Sequence, residues 1–172
     1  MSIILNTPHC IVRWTDYTRK VDLKYPHSSG LGYYKVTGSF DKEGRDKVLA
    51  DVIGEHGSKA NGSVATKSDG TGRTEINFKC LERLKLRDGT LLDQKPSITN
   101  IDGSIFEGDF EMAIAQINYQ PIYYASYGKT SMILKSIKII SLANPDQLTP
   151  EEEDLAVLQK LDAVPKQFNG GQ

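Results

Sequence analysis

The apolar residues of this chain fall mostly into short runs of strand-forming side chains, and only two stretches carry them at helical spacing. Residues 10–17 (CIVRWTDY) and 33–40 (YYKVTGSF) predict the first two strands, the second ending at Asp41-Lys42-Glu43-Gly44. Val48, Leu49, Val52 and Ile53 then recur at helical spacing, which predicts a short helix over 45–56. Residues 57–73 (GSKANGSVATKSDGTGR) have no hydrophobic period and predict a loop. From Glu75 to Arg87 the chain alternates strictly. Ile76, Phe78, Cys80, Leu84 and Leu86 fall on a core side, and Lys79, Arg83, Lys85 and Arg87 on an exposed one. Asp88-Gly89 and Asp102-Gly103 are turn dipeptides that bracket a shorter segment. Two long strands follow, over about 106–119 and 129–142. Their connector carries Tyr119, Tyr123, Tyr124 and Tyr127 and runs straight into Gly128-Lys129, which predicts a broad antiparallel hairpin with an aromatic, lysine-tipped end.

About five strands and one short helix in under 150 residues describe a mainly β body. It fits a small barrel of the OB-fold type, with a β-sandwich as the alternative. Asn144-Pro145 closes that body, so the expected division is a domain at 1–144 and a tail at 145–172. In the tail, Thr149-Pro150-Glu151-Glu152 is a helix start: a Thr cap, a Pro in the first turn, and a Glu placed to complete a capping box. Leu155, Leu158 and Leu161 give the predicted tail helix a narrow apolar stripe.

Charge changes the picture more by its distribution than by its sum of −1. Residues 1–144 carry 19 Lys and Arg against 16 Asp and Glu, whereas residues 145–172 carry 2 against 6. A mildly basic body with an acidic tail (+3 and −4) follows, so any polyanion site must be a local groove. No run approaches the roughly 20 apolar residues that a membrane helix needs, and MSIILNTPHCIV has no basic leader region, so a cytoplasmic protein is expected. Cys10 and Cys80 read as reduced core thiols.

Binding chemistry is better represented than catalytic chemistry. Trp14, Tyr17, Tyr33, Tyr34 and Phe40 are interleaved with Arg13, Lys20, Lys24 and Lys35 on the first two strands. Flat rings beside cations suit an unpaired nucleic-acid strand, whose bases stack and whose phosphates need positive charge. Candidate contacts are therefore Arg13, Tyr17, Tyr33 and Lys35; the basic strand face Lys79, Arg83, Lys85 and Arg87; and the hairpin end Tyr119, Tyr123, Tyr124, Tyr127 and Lys129. Trp14 and Phe40 are expected in the core, because an all-β body of this size needs large residues inside. His9, His27 and His56 have no metal-ligand spacing, and neither a nucleophile elbow nor a P-loop is present, so no enzyme and no cofactor are expected. Two other readings stand beside a single-strand binder. One is a β-rich structural or protein-interaction module using tyrosines at an interface. The other is a Mg²⁺ nuclease built on Asp102, Glu107, Asp109 and Glu111.

Four segments, taken in order, carry a resemblance: YYKVTGSFDKEG before the helix, the basic strand, KPSITNIDGSIFEGDFEMAIAQINY, and YGKTSMILKSIKIISL. Within them, Lys95, Pro96, Ile98, Asp102, Gly103, Ile105, Phe106, Gly108, Tyr127 and Gly128 match recurrent positions. Over about residues 10–142 the chain resembles the OB-fold single-stranded-DNA-binding proteins of tailed phages, podophage replication proteins included. The resemblance implies sequence-tolerant binding of single-stranded DNA during phage replication or recombination. It also implies an acidic C-terminal tail that contacts polymerase or helicase, and it leaves a homodimer open. The chain departs from that pattern at its end: the acids sit at Glu151–Asp154, and Phe168 is followed by Asn-Gly-Gly-Gln.

Overall fold

In the computed structural model, residues 3–142 are described; the predicted tail helix and its capping box lie outside them. Strands β1 (Leu5–Asn6), β2 (Cys10–Arg13) and β3 (Tyr33–Phe40) precede helix α1 (Lys42–His56). Then follow β4 (Lys67–Ser68), β5 (Thr74–Leu81), β6 (Arg83–Lys85), β7 (Leu91–Asp93), β8 (Ser97–Thr99), β9 (Ile114–Tyr124) and β10 (Lys129–Ser141). β2, β3, β5, β10 and β9 pair in that circular order and close a five-stranded barrel, because β9 joins β10 on one side and β2 on the other. The closing pair β5–β10 is parallel, with Ile133 opposite Lys79, and its neighbours are antiparallel. This is an OB-fold-like small barrel, as expected.

Alternation explains the interior. Val36, Ile76, Phe78, Ile117, Tyr119, Leu134 and Ile137 point inward from successive strands and are almost fully buried. α1 adds Val48 and Val52 to the same cluster. It starts three residues earlier than predicted because Asp41 caps it, its Oδ1 accepting from the Gly44 N–H at 2.7 Å. DKEG thus opens a helix as well as ending a strand.

Three further differences shift the functional picture. The first strand stops at Arg13 rather than Tyr17, since Trp14 turns into the left-handed region and Thr15–Thr18 form a 3-10 turn. The strand predicted at 106–119 begins only at Ile114 and continues to Tyr124. Finally, the alternating stretch 75–87 does not stay on the barrel beyond Leu81. Glu82 accepts from the Gln94 N–H, donates its own N–H to the Gly32 carbonyl, and takes the Gly32 N–H on its carboxylate. The chain leaves the barrel there as the ribbon β6–β7 and returns as β8, which resumes the same edge of β10. Leu84 and Leu86, expected in the core, are exposed on that ribbon.

Candidate nucleic-acid interface

Tyr34 and Val36 face the core, so Tyr33 and Lys35 must face outward. The β3–β5 register sets Lys35 opposite Lys79 and Tyr33 opposite Leu81, which makes Lys79 the diagonal neighbour of Tyr33. The Lys79 ammonium sits 4.5 Å from the Tyr33 ring centroid. Tyr17, delivered by the 3-10 turn, has Lys20 at 5.4 Å and Lys35 at 5.6 Å from its ring. Two rings and three ammonium groups thus share one patch on the outer wall of β3 and β5.

The segment before β3 supports this patch. Asp22 and Tyr33 exchange backbone hydrogen bonds at 2.9 and 3.2 Å. That close approach requires Gly32, where an added Cβ would lie 2.6 Å from the Asp22 carbonyl oxygen. Asp22 is so placed that its carboxylate ion-pairs with Lys35 and accepts from the Lys24 N–H. Lys35, and then the Lys24 N–H, hold the Asp22 carboxyl below the usual carboxylate range. Arg13 lies one strand over, opposite Thr37, and is paired with Glu75 at 3.2 Å. Lys20 and Asp22 were not among the predicted site residues. The Tyr17–Lys20 spacing was a usable signal for Lys20, while Asp22 carries none, because only the Gly32 approach puts it there.

Trp14 does not join the core as expected: 61% of its surface is exposed, whereas Phe40 is fully buried. The reason is its backbone, φ 60° and ψ 50°, which turns the side chain away from the barrel interior.

The predicted basic strand face is divided. Lys79 stays on the barrel, but Arg83, Lys85 and Arg87 stand exposed on or beside the β6 arm of the ribbon. The predicted aromatic end is divided too. Tyr119 is fully buried against Phe78, with ring centroids 5.3 Å apart, and is no surface contact, because it is an inward residue of β9 rather than a connector residue. Burial raises its phenol well above the ordinary value. Tyr123 packs on the core under His56, whose ring is 6.3 Å away, and the Lys59 ammonium is 5.6 Å from its ring. Tyr124, Tyr127 and Lys129 remain exposed at the hairpin turn. Since Ile133 is level with Lys79, Lys129 lies four residues, about 13 Å, back toward the start of β10.

The acids near the 102–103 turn are engaged locally. Asp102 accepts from the Ser104 N–H and Oγ, and Glu111 from the Trp14 and Thr15 N–H groups and Thr15 Oγ1. Among the described residues no group of three His, Cys, Asp or Glu side chains is placed to hold a metal ion. No helix among them is long and apolar enough to cross a membrane.

No protein-family model matches the chain, and no curated protein matches it in sequence. Solved structures do match in three dimensions. The structure of gp2.5, a single-stranded DNA binding protein encoded by bacteriophage T7, superposes with a TM-score of 0.64 over 85% of this chain and 97% of that one, at 14% identity. The chain has the fold of a phage single-stranded-DNA-binding protein. The single-stranded DNA-binding protein from bacteriophage Enc34, in complex with ssDNA, matches with a TM-score of 0.56 over 80% of this chain and 86% of that one, at 12% identity. Its C-terminal truncation gives 0.55 at 11% identity.

Proposed function

We propose that this chain is a non-enzymatic protein that binds single-stranded DNA with little sequence preference. The strand would cross the outer wall of β3 and β5, in the host-cell cytoplasm, during phage replication or recombination. The observation that carries this reading is the patch in which Lys79 overlies Tyr33 while Lys20 and Lys35 flank Tyr17. Rings offer a face to any base, and ammonium groups meet phosphates without reading sequence. Lys129 and the exposed Tyr124 and Tyr127 extend the track along β10, and the ribbon cations Arg83, Lys85 and Arg87 offer a second approach to the backbone. The fold shared with proteins solved as single-stranded DNA binders supports the same reading. The acidic residues 145–172 would recruit a replication polymerase or helicase.

The test is a gel shift with labelled oligo-dT, duplex DNA and RNA at two salt concentrations. The reading requires retention of oligo-dT at low salt, weakened at high salt, and weaker retention of duplex. Equal or better retention of duplex, or no retention of oligo-dT, would overturn it.

A further inference from the structure

The chain's single tryptophan sits where folding alone gives little reason to put one. Trp14 follows the last residue of β2, holds φ 60° and ψ 50°, and keeps 61% of its surface in solvent. A bulky aromatic residue is disfavoured in the left-handed region, because its Cβ crowds the following carbonyl. Such strain persists only where surrounding contacts over-determine it, and it concentrates at functional positions.

Those contacts are explicit. Glu111 Oε2 accepts from the Trp14 N–H at 2.9 Å, and Oε1 accepts from the Thr15 N–H and Thr15 Oγ1, each at 2.9 Å. Next to Glu111, Met112 is the other non-glycine residue with positive φ among those described, at 67°. Its N–H donates to the Val12 carbonyl at 2.8 Å, and the Val12 N–H donates to Ala113 at 2.9 Å. Two strained residues, nearly a hundred positions apart, thus meet at one junction, Trp14 held by the Glu111 carboxylate and Met112 by its backbone bond to Val12. The Arg13 guanidinium, 5.2 Å from the indole centroid, steadies the ring further. An indole serving the core would be buried; this one is held out beside Arg13, three residues before Tyr17, and Arg13 is itself level with Thr37, two residues along β3 from Lys35.

We propose that Trp14 is a base-stacking platform that extends the single-strand track from β3 past the end of β2, and that Glu111 is the positioning residue that fixes its pose. This rests on the single-strand-binding reading above. The surrounding wall favours a nucleic-acid base over a protein side chain as the ring's partner, because Lys20 and Lys79, which have no carboxylate within ion-pair distance among the described residues, leave positive charge there for a strand's phosphates.

Because Trp14 is the only indole, its fluorescence reports on this position alone. Titration of the full chain with oligo-dT should quench that emission saturably, at the concentrations where the gel shift occurs. Trp14→Ala should weaken oligo-dT binding roughly 5- to 150-fold, the range that one stacked base supplies, and Trp14→Phe should recover most of the loss. Glu111→Gln keeps one carbonyl oxygen where two carboxylate oxygens served three donors, so both quench amplitude and affinity should fall. The double variant Trp14→Ala/Glu111→Gln should bind no more weakly than Trp14→Ala alone. A gel shift without quenching, together with unchanged affinity in Trp14→Ala, overturns the platform and leaves the single-strand reading intact. Additive losses in the double variant overturn the role of Glu111. Loss of the gel shift in the unaltered chain overturns both readings.

Discussion

Replacing Lys79 with Gln removes one cation from the outer wall of β5 without touching the core, since the side chain is exposed and its ammonium rests on Tyr33. The cations on this wall are not equivalent. Arg13 is neutralised by Glu75 and Lys35 by Asp22, whereas Lys20 and Lys79 have no carboxylate within ion-pair distance among the described residues. Each phosphate contact on a single strand contributes about −0.7 to the slope of log affinity against log salt. Lys20 and Lys79 alone predict a slope of about −1.4; adding Arg83, Lys85 and Arg87 of the ribbon brings it to about −3.5. Lys79→Gln should flatten either value by about 0.7, so between 50 and 200 mM salt the variant loses about 2.6-fold less affinity than the parent. Asp22→Asn is the opposite perturbation. It keeps an oxygen for the Lys24 N–H, frees Lys35, and should tighten binding at low salt while steepening the slope by about 0.7. Acid should mimic it. The Asp22 carboxyl is held low, so its ion pair stabilises the fold above the ordinary carboxylate value and is lost as pH falls through the lowered one, releasing Lys35. Fluorescence anisotropy of labelled oligo-dT over a salt series measures all of these. An unchanged slope in Lys79→Gln would refute the placement of the phosphate track on β3 and β5.

Tyr119 Oη is buried without a hydrogen-bond partner, so Tyr119→Phe should raise stability by about 1 kcal/mol in urea unfolding, and a loss of that size would show that the hydroxyl is satisfied. Burial pushes the Cys10 thiol up to about 12 and Cys80 up to about 11, so a thiol-exchange reagent at pH 8 should label neither in the folded protein and both in denaturant. Rapid labelling of the folded chain would contradict that burial. Deleting residues 145–172, which carry six acids against two bases, should tighten single-strand binding at low salt, with a gain that shrinks as salt is added; equal affinities at low salt would exclude competition between tail and DNA.

The barrel itself was legible from local pattern. β3 matched its predicted limits, and the inward residues of β5 followed their alternation, because side-chain period and burial coincide there. The ribbon was misread because period two says which side a residue faces but not which sheet it belongs to. Residues 83–87 keep perfect alternation, yet Glu82 ties the backbone to Gly32 and Gln94 and diverts the run into a ribbon of its own. Tyr119 was misplaced for a different reason: β9 ends five residues later than predicted, which turns a connector tyrosine into a core one. Trp14 was misjudged because size argued for the core, while its left-handed backbone depends on a carboxylate nearly a hundred positions away.

Barrel closure also fixes when the newborn chain can become itself. β2 hydrogen-bonds to β9 through Cys10 and Ala115, and β9 is held in turn by β10, which ends at Ser141. At synthesis rates of about 5–20 residues per second, the first barrel strand waits roughly 7–25 s for the partners that complete it. During that interval β2 and β3 offer an unpaired edge that is strongly apolar on one side, a template for mispairing between neighbouring nascent chains. Yield on overexpression should therefore depend on how quickly residues 114–141 follow the rest, and slowed translation ahead of β9 should divert product into aggregates even though the finished barrel has that edge fully paired.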